Sequence, residues 1–465
     1  MKLIFQDLGI IRYAEMQSNN LIIICGSNNS GKTYVTYAYY GFMDFWRHIY
    51  EIPIDGDVIQ KLKKTGVHTI DLCEYSDITN AQKIINDACI EYTKRLPVVF
   101  AATQNKFNNA RFEIQIDDGE VKLSKDVHSG RVGPSNTKID VLQFLKAENE
   151  SEITFTLLTE NFPDDIPNFV ITQFISNAIK NIVFGSIFPH VFIASAERTG
   201  AAIFRDELNF ARNKLLDVLS DKNKDITPFD LIERTISDYA LPVDDNVDFI
   251  RSLEAVSRTD SFLTTQHKDV LTRFVDILGG NYQIEKSGDL RFVTSKKSIK
   301  LSMDESSSSV RSLLLLGFYL KHVAQRNDLL IIDEPELNLH PENQRKMARL
   351  LASLVNCGLS ILITTHSDYI LREFSNLIML NGNSPHLMQI IKEEGYDNEE
   401  LLSASKINAY IAKEDNQCLP GKKRSSDIQT LVKVDIDTEK GICTSSFDTT
   451  IDAMNRIMDA IIFGG

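Results

Sequence analysis

Two short apolar runs in the second half of the chain limit the fold more than any other feature of the sequence. Residues 329–332 end in Asp333 and Glu334, and residues 359–363 lead to His366, with a stretch of helical composition between the two runs. This pattern predicts two buried parallel strands joined by a crossover helix. Parallel strands end at the same edge of a sheet, and open α/β sheets bind ligands at that edge, so we expect a site there.

The two acids at the end of the first run have the order that a phosphate site requires. An Asp that closes a buried strand beside bound phosphates usually holds Mg²⁺, and a Glu directly after it can activate a water molecule. These are the roles that we expect for Asp333 and Glu334. On its own, the same pattern also fits a strand that ends in two solvated acids, so the other half of the site has to be found elsewhere.

The other half lies far upstream, between an apolar run and a helix-like stretch. The segment GSNNSGKT fits the phosphate-binding loop G-x-x-x-x-G-K-[ST] in the strand, loop and helix context that the motif requires. Backbone N–H groups and the helix N-terminus would bind phosphate oxygens, Lys32 would reach the β- and γ-phosphates, and Thr33 would coordinate Mg²⁺. We therefore expect ATP to bind at Gly26, Ser27, Asn28, Asn29, Ser30, Gly31, Lys32 and Thr33, with Mg²⁺ at Thr33.

Seven aromatic residues follow the loop, and two interpretations remain open for them. They could stack on the adenine base, or they could pack the helix against the sheet or against a neighbouring subunit. Packing is the interpretation that we favour for most of them. The residues are Tyr34, Tyr37, Tyr39, Tyr40, Phe42, Phe45 and Trp46.

Net charge and cysteine usage exclude several classes of protein. The chain of 465 residues carries a formal charge of -14, which argues against bulk electrostatic binding of nucleic acid, although a local basic groove stays open. Six scattered cysteines form no Cys-x-x-Cys pair and no zinc pattern, which indicates a reducing cytoplasm. No apolar run is long enough to span a membrane, so we expect a cytoplasmic protein without a membrane anchor.

The remaining segments predict an α/β head with a mostly parallel sheet, interrupted by an insertion with antiparallel strands and by a helical insertion. Alternating patterns at 111–116 and 153–158 predict the antiparallel strands. The predicted order is an N-terminal part of the head (1–55), a head-extending insertion (56–190), a head strand with a Glu-Arg turn (191–205), a helical insertion lobe (206–285), a C-terminal part of the head (286–382) and a strand and helix extension (383–465).

Arg198 is a further candidate for the site. It lies in the segment 191–201, which has a strand-like start, and stands directly after Glu197 in a glycine-containing turn. An Arg at a strand end can bind a phosphate or a carboxylate of the site, and a structural salt bridge with Glu197 or another acid is an equally open interpretation. We include Arg198 among the candidate nucleotide-binding residues.

A cluster of four serines, 306–309, stands at the start of an apolar helix shortly before Asp333. Four serines usually form only a loop and an N-cap. Together with the phosphate-binding loop, the DEPELNLHP segment and the THS segment, however, they make the chain similar to SMC-like ABC-type ATPases. The chain resembles most closely the overcoming-lysogenisation-defect (OLD) class used in bacterial anti-phage systems, and within that class the ATPase subunits of PARIS systems.

The resemblance implies that two heads meet head to tail, with each ATP between the phosphate-binding loop of one head and the signature helix of the other. Ser307 and Ser308 would then face the γ-phosphate bound by the second head, and His366 would contact the γ-phosphate or hold the attacking water. Asn338 and Leu339 stand where this family has the loop that crosses the dimer interface. Serines replace both glycines of the usual Ser-Gly-Gly signature, so we expect slow or nucleotide-gated hydrolysis.

Related enzymes carry a Toprim nuclease at the end of the chain. Residues 390–400 and 434–437 superficially offer the acids of its metal site, but only a short stretch separates them. We therefore expect no complete nuclease in this chain. The basic run 422–424 is likewise more typical of a solvated loop than of a nucleic-acid contact.

Two functions from different classes remain. In the first, the protein is a sensor and scaffold of anti-phage defence: it forms a homo-oligomer through head-to-tail dimers or a higher-order ring, holds a separate effector nuclease of the Toprim type, and releases it when a phage-encoded trigger protein acts. In the second, an SMC-like DNA-repair ATPase clamps DNA directly. A transporter ATPase fits less well, because of the PELNLHP turn and the large insertions. The DNA clamp would need a basic groove formed by Lys61, Lys63, Lys64, Lys321 and Arg326.

Overall fold

The computed structural model of the protein describes residues 1–133, 140–158, 166–203, 239–382, 384–422, 424–443, 454 and 456–461. The chain divides into two compact units. The first comprises 1–6, 38–96 and 109–190, and the second comprises 7–37, 97–108 and 191–465. Within the described ranges, the structure has no helix that is both long and apolar enough to cross a membrane.

The strands, in chain order, are β1 (Lys2–Leu8), β2 (Ile11–Gln17), β3 (Leu21–Cys25), β4 (Val67–Asp71), β5 (Arg111–Gln115), β6 (His128–Val132), β7 (Leu142–Lys146), β8 (Glu152–Leu157), β9 (Val191–Ala194), β10 (Gly280–Ile284), β11 (Leu290–Thr294), β12 (Lys300–Ser302), β13 (Leu329–Asp333), β14 (Ser360–Thr365), β15 (Ile407–Cys418), β16 (Ser425–Val434), β17 (Ile436–Asp437) and β18 (Gly441–Ile442).

The helices, in chain order, are α1 (Lys32–His48), α2 (Gly56–Thr65), α3 (Cys73–Ser76), α4 (Ile78–Thr93), α5 (Leu96–Val99), α6 (Asn168–Ile179), α7 (Arg198–Ile203), α8 (Leu241–Arg251), α9 (Leu253–Val256), α10 (Phe262–Gln266), α11 (Lys268–Leu278), α12 (Ser308–Ser312), α13 (Leu314–Phe318), α14 (Pro341–Asn356), α15 (Asp368–Met379) and α16 (Pro385–Glu393). Short 3₁₀ turns lie at Gln104–Phe107, Asn398–Glu400 and Ala404–Lys406, and π turns at Lys180–Phe184 and Tyr319–Val323.

The second unit is built on a six-stranded sheet with the order β16-β15-β3-β14-β13-β9. Five of these strands run parallel, and β16 pairs antiparallel with β15 at one edge. β3 and β13 are buried along their whole length, as their continuous apolar sequences predict. The crossover helix α14 begins at Pro341 and connects β13 to β14. The predicted α/β fold with a mostly parallel sheet is confirmed.

The register of the parallel strands brings three loops to one edge of the sheet. Asp333 of β13 pairs with Thr364 of β14, and Thr365 pairs with Cys25 at the end of β3. The three strands therefore end side by side. The loops that follow them start from the same edge, where the sequence predicts the site.

The C-terminal strands extend this sheet, which the sequence analysis did not predict. β15 pairs parallel with β3, with Ile407 opposite Leu21 and Ile411 opposite Cys25. The first half of β15 is largely buried, whereas residues 413–418 are polar and at least partly exposed. Because the pattern changes within the strand, the local sequence does not predict β15. Part of the extension at 383–465 therefore belongs to the sheet that carries the phosphate-binding loop.

The predicted helical insertion, 206–285, is helical between residues 241 and 278, where α8 to α11 lie. Residues 204–238 lie outside the described part of the chain. Side chains of α8 to α11, including Val247 and Phe274, belong to the same hydrophobic cluster as Ile23 of β3. These four helices thus contribute to the core of the second unit.

An aromatic cluster around the second half of α1 stabilises the first unit. The ring of Phe42 lies 5.1 Å from that of Phe112 and 5.5 Å from that of Tyr92. Trp46 lies 4.6 Å from Phe188. These side chains pack within the unit, which is the interpretation that the sequence favoured. The unit also contains the antiparallel sheet β4-β8-β7-β6 and the pairing of β1 with β5, in agreement with the alternating patterns.

Lys180 closes the C-terminal end of α1 within the first unit. It is 6% exposed, and its ammonium donates hydrogen bonds to the backbone oxygens of Trp46, Arg47 and Tyr50 at 2.9, 3.2 and 2.8 Å. Burial lowers the pKa of Lys180 to about 8, and the Glu51 carboxylate acts in the opposite direction. Lys180 therefore supplies the partner that the last carbonyls of a helix lack.

Replacing Lys180 by Met keeps most of the apolar stem and removes the three hydrogen bonds. We expect Lys180→Met to lower the free energy of unfolding by about 2–4 kcal/mol, because buried carbonyls lose their donor. Urea denaturation measures the effect. Lys63→Met is the matched control, because Lys63 is less buried and donates to one carbonyl only, that of Ile166. Equal effects of the two substitutions would contradict the capping role of Lys180.

Candidate functional site

The loop between β3 and α1 takes backbone conformations that few residue types adopt. φ is 147° at Gly26, 60° at Asn29 and 95° at Gly31. A Cβ atom at Gly31 would lie 2.6 Å from the side chain of Ile11, so glycine is required there. α1 begins at Lys32, directly after the loop, and its N-terminal N–H groups therefore face the loop. The local structure is the strand, loop and helix that the motif requires.

Lys32 is almost fully buried against its own loop. Its ammonium donates hydrogen bonds to the backbone oxygens of Gly26 and Ser27 at 2.9 and 2.8 Å. Burial lowers the pKa of Lys32, and the carboxylates of the site, Glu334 foremost, act in the opposite direction. A cation is therefore held over the loop, where it can bind an anionic group.

Asp333 ends β13 and is 2% exposed. Its Oδ1 accepts a hydrogen bond from the Thr364 hydroxyl, and its Oδ2 accepts one from Thr33 Oγ1 at 3.5 Å. Burial raises the pKa of Asp333 to about 6, and the Thr364 hydroxyl opposes this shift. The structure therefore brings together Thr33 and Asp333, the two residues predicted to hold Mg²⁺.

Glu334 has a φ of 53°, which is uncommon for a residue with a side chain. Contacts on both sides hold this conformation. The N–H of Glu334 donates to the backbone and hydroxyl oxygens of Thr364 at 3.1 and 3.2 Å. The carbonyl oxygen of Glu334 accepts a hydrogen bond from Arg198 Nη2 at 2.7 Å. The backbone of the predicted catalytic base is thus fixed by its neighbours.

Glu336 is a residue of this site that the sequence analysis did not assign. It is 5% exposed, and its Oε1 accepts hydrogen bonds from the Thr365 hydroxyl and the His366 N–H, both at 2.8 Å. His366 Nδ1 lies 3.4 Å from Glu334 Oε1 and 3.5 Å from Glu336 Oε1. The imidazole therefore stands between two carboxylates. The position of Glu336 in the DEPE segment, two residues after Glu334, is the signal that could have found it.

Arg198 begins α7 and is 2% exposed. Its Nε donates to the backbone oxygen of Ser312 at 2.8 Å, its Nη1 to those of Ser195 at 2.8 Å and Asp333 at 2.6 Å, and its Nη2 to that of Glu334 at 2.7 Å. The guanidinium thus contacts carbonyl groups instead of the phosphate or carboxylate that the sequence left open. Glu197 accepts a hydrogen bond from the Tyr37 hydroxyl at 2.8 Å.

The two signature serines lie at the start of α12, where Ser307 is the N-cap and Ser308 the first residue. Both are exposed, whereas Ser306 is buried. Ser307 Oγ accepts a hydrogen bond from the Val310 N–H and lies 2.8 Å from Ser309 Oγ. Arg311 fixes the preceding loop by donating to the backbone oxygens of Met303, Asp304 and Ser306. The hydroxyl groups of Ser307 and Ser308 are therefore exposed to solvent, and hydrogen bonds from Arg311 hold the loop that precedes them.

A cleft of about 680 Å³ lies over the phosphate-binding loop. Residues 28–34, Ile10, Glu334 and His366 line it. Its volume falls in the range of ~300–1,000 Å³ that is typical of small-molecule sites. The structure thus brings most of the predicted site residues into one cleft. The predicted residues that do not line it are Gly26, Ser27, Arg198, Ser307, Ser308 and the buried Asp333.

Side chains at this cleft fit a magnesium nucleotide. Ser30 Oγ is buried and has no hydrogen-bond partner within the described ranges, and the Lys32 ammonium rests on loop carbonyls. Phosphate oxygens satisfy donors of this kind. Thr33 and Asp333 offer oxygen ligands, which Mg²⁺ prefers, and leave room for phosphates and water as the other ligands.

The C-terminal strands reach the same loop, which no motif signalled. Gln429 of β16 donates a hydrogen bond from Nε2 to the backbone oxygen of Ser30 at 2.7 Å. A Cβ atom at Gly26 would lie 2.6 Å from the backbone oxygen of Ala412 in β15. The hairpin of β15 and β16 therefore contacts the phosphate-binding loop and supports it.

The acids of the superficial nuclease pattern have ordinary local partners. Asp437 Oδ1 accepts hydrogen bonds from the N–H groups of Glu439 and Lys440 at 2.6 and 3.0 Å, which forms the turn between β17 and β18. Across the ranges that the structure describes, no three or more His, Cys, Asp or Glu side chains are grouped so that they could hold a metal ion.

Comparisons with known proteins add a family and a set of similar structures. A family model described as "AAA ATPase domain" (AAA_15) matches residues 2–371. The SMC head domain from Thermotoga maritima is 11% identical, with a TM-score of 0.31 over 94% of this chain and 98% of that chain. The Smc head domain of Pyrococcus furiosus, with an extended coiled coil and bound to the C-terminal domain of ScpA, is 10% identical, with a TM-score of 0.31 over 98% of both chains. The comparison with curated proteins gives no match.

The buried carboxyl of Asp333 makes stability depend on pH. The folded protein keeps this proton up to a pKa of about 6, whereas the carboxyl of an unfolded chain has the ordinary value of 3.8. The folded state binds more protons in this window, so the free energy of unfolding falls as the pH rises through it.

Asp333→Asn keeps the shape of the side chain and removes its ionisation. We expect the stability of Asp333→Asn relative to the wild type to increase between pH 4 and pH 7. Urea denaturation without nucleotide or Mg²⁺ measures this difference at each pH. A difference that stays constant over the whole range would show that the Asp333 carboxyl ionises normally in the folded protein.

Proposed function

The chain belongs to the AAA ATPase domain family AAA_15, and we propose that it binds MgATP in the cleft over residues 26–33 and hydrolyses it to ADP and phosphate. One observation carries this proposal. The phosphate-binding loop, Glu334 and His366 come from distant parts of the sequence and line the same cleft. The hydroxyl of Thr33 and the carboxylate of Asp333 meet beside it.

Each group has a task in the proposed reaction. The N–H groups of the loop and the Lys32 ammonium bind the β- and γ-phosphates. Thr33 and Asp333 would hold Mg²⁺, which would supply charge neutralisation to the phosphates. Glu334 accepts a proton from the attacking water as the water oxygen bonds to the γ-phosphorus and the bond to ADP breaks. His366, 3.4 Å from Glu334 Oε1, orients that water or the γ-phosphate.

The complete site is proposed to need two chains. Ser307 and Ser308 are exposed on a fixed loop and do not line the cleft of their own chain. In a head-to-tail dimer they would bind the γ-phosphate held by the second chain, as the resemblance implies. Asn338, with a φ of 60°, and Leu339 follow Glu336 in the turn that would cross the interface. Serines in place of the two signature glycines support slow or nucleotide-gated hydrolysis.

For the cellular role we propose a cytoplasmic sensor and scaffold of anti-phage defence, related to the OLD class and to PARIS systems. The oligomer would hold a separate Toprim-type effector nuclease and release it when a phage-encoded trigger acts. The motifs of the resemblance and the charge of -14 support this role over general nucleic-acid binding. Co-purification of a nuclease with Glu334→Gln from cells that co-express the neighbouring genes tests it.

A DNA clamp of the SMC-like repair type is the second candidate. Lys61 and Lys64 are exposed on α2 of the first unit, and this basic surface is the observation that favours it. In the second unit, Arg326 is engaged by the side chain of Gln266 at 2.8 Å and lies over the ring of Phe262. ATP hydrolysis that increases when double-stranded DNA is added would favour the clamp, provided that no nuclease co-purifies.

Two substitutions separate nucleotide binding from hydrolysis. Lys32→Ala removes the cation over the loop, so we expect MgATP binding to be lost in calorimetry. Glu334→Gln keeps the shape of the side chain and removes the base, so we expect ATP to bind while phosphate release falls about 100-fold or more. Wild-type hydrolysis by Glu334→Gln would show that another group is the base.

The head-to-tail arrangement predicts that a signature serine controls assembly. In the Glu334→Gln background, where ATP persists, we expect MgATP at least to double the mass measured by light scattering. Adding Ser308→Trp blocks the approach of the second nucleotide, so the protein should stay monomeric while it still binds ATP. Ser257→Trp is the control, because Ser257 follows α9 and belongs neither to the signature helix nor to the lining of the cleft. Full assembly of the Ser308→Trp variant would contradict the arrangement.

A further inference from the structure

Arg198 has a set of partners that the proposed reaction does not explain. It is 2% exposed, and arginines buried this deeply usually pair with a carboxylate or a phosphate. Within the described residues, the four hydrogen bonds of its guanidinium instead end on backbone carbonyl oxygens, at 2.6 to 2.8 Å. A buried charge with this arrangement fixes main-chain geometry and uses four of the five N–H groups of the guanidinium on the protein itself.

The four carbonyls belong to three separate segments of the second unit. Ser195 directly follows β9 and stands three residues before Arg198. Asp333, the predicted metal ligand, ends β13, and Glu334, the predicted base, follows it directly. Ser312 is the last residue of α12, the short helix that starts with the signature serines. One side chain therefore joins the signature helix to the peptide groups of the catalytic acids.

A second line of hydrogen bonds runs along the same path. Ser307 Oγ lies 2.8 Å from Ser309 Oγ, and Ser312 Oγ donates to the backbone oxygen of Ser309 at 3.0 Å. The Ser312 hydroxyl also lies 3.1 Å from the backbone oxygen of Leu337, in the turn after Glu334. The exposed serines, the signature helix and the acidic turn are thus connected by short polar contacts from end to end.

We propose that Arg198 is a positioning residue that couples the signature helix of a chain to the catalytic glutamate of the same chain. This proposal rests on the proposed function, because the signature serines meet a nucleotide only in the head-to-tail dimer. When Ser307 and Ser308 engage the nucleotide of the second chain, any shift of α12 moves the Ser312 carbonyl. The rigid guanidinium transmits that shift to Glu334, so each chain hydrolyses its own ATP only when it also binds its neighbour's.

The chemistry of the guanidinium explains why an arginine stands here. Its N–H groups lie in one plane with fixed directions, so it cannot follow one carbonyl without breaking its bonds to the others. The contacts to Ser195, Ser312 and Asp333 are buried, so losing them leaves buried carbonyls without a donor. Glu334 at φ 53° depends on two tethers, Thr364 on its N–H and Arg198 on its carbonyl oxygen. A lysine keeps the charge, but all of its hydrogen bonds start from one nitrogen atom. It therefore cannot bind the carbonyls of three segments at once.

Arg198→Lys tests the positioning role. We expect ATP affinity within about threefold of the wild type, because Arg198 does not line the cleft, and kcat lower by about 100-fold, because Glu334 is misplaced. Arg349→Lys is the matched control. Arg349 makes a comparable fork to Glu400 and the backbone oxygen of Gly395, on α14. Thermal unfolding with and without MgATP shows whether each variant is folded.

Mixed dimers test the coupling itself. Full-length chains with two different tags, one of them carrying Lys32→Ala, are co-expressed and isolated in MgATP, so that each dimer keeps one intact site. Independent sites give half of the turnover of the wild-type dimer. Coupled sites give less than about a tenth of the wild-type turnover. The signature serines of the intact chain then face the phosphate-binding loop of the Lys32→Ala chain, which binds no ATP. With Arg198→Lys in both chains, the ratio of mixed to unmixed dimers should return to one half.

The outcomes separate failure of this inference from failure of the proposed function. A wild type that neither binds nor hydrolyses MgATP would overturn the proposed function. A wild type that hydrolyses ATP while the mixed dimer shows half the turnover would overturn the coupling and leave the ATPase intact. The same holds if Arg198→Lys keeps the wild-type kcat, or if the Hill coefficient for ATP is equal in the wild type and in Arg198→Lys.

Discussion

The parallel pairing of β13 with β14, and of β14 with β3, is the constraint on which the rest of the structure depends. Its register places Asp333 beside Thr364 and Thr365 beside Cys25, so three buried strands end in line. The phosphate-binding loop, the turn with Glu334 and the loop with His366 leave from that line. The hydrophobic burial that aligns the strands therefore also brings Lys32 and Glu334 to the same cleft.

The site concentrates charge in a buried environment, which sets its energetics. Lys32, Arg198, Asp333 and Glu336 are each nine-tenths or more buried. In such surroundings unpaired groups are costly, and electrostatic interactions are stronger than in water. Burial raises the pKa of Asp333 and lowers that of Lys32, the directions that a bound cation and a bound polyanion would reverse. A bound magnesium nucleotide would offset the cost of burying these charges.

Sequence alone predicted the parts of this site that local motifs encode. GSNNSGKT and the apolar run before Asp333 each combine a strand with a specific turn chemistry, so their elements and their meeting at one sheet edge followed directly. Glu336 and Gln429 did not follow, because their roles depend on Thr365, His366 and Ser30, which are distant in sequence. The contacts of Arg198 were hidden for another reason. Every residue type has a backbone carbonyl that can accept a hydrogen bond, so no sequence pattern predicts these contacts. β15 was hidden because only its first half is apolar.

The most direct test of the account is electron paramagnetic resonance of Mn²⁺ bound with ATP, because it reports the ligands of the metal in the cleft. For the wild type the account predicts a protein-bound spectrum with ³¹P couplings from the nucleotide phosphates, and loss of that bound species in Thr33→Val, which removes one oxygen ligand and keeps the shape. A wild-type spectrum identical to that of Mn²⁺ and ATP in buffer, or a bound spectrum that Thr33→Val leaves unchanged, would contradict the central claim that the edge formed by β3, β13 and β14 binds a magnesium nucleotide.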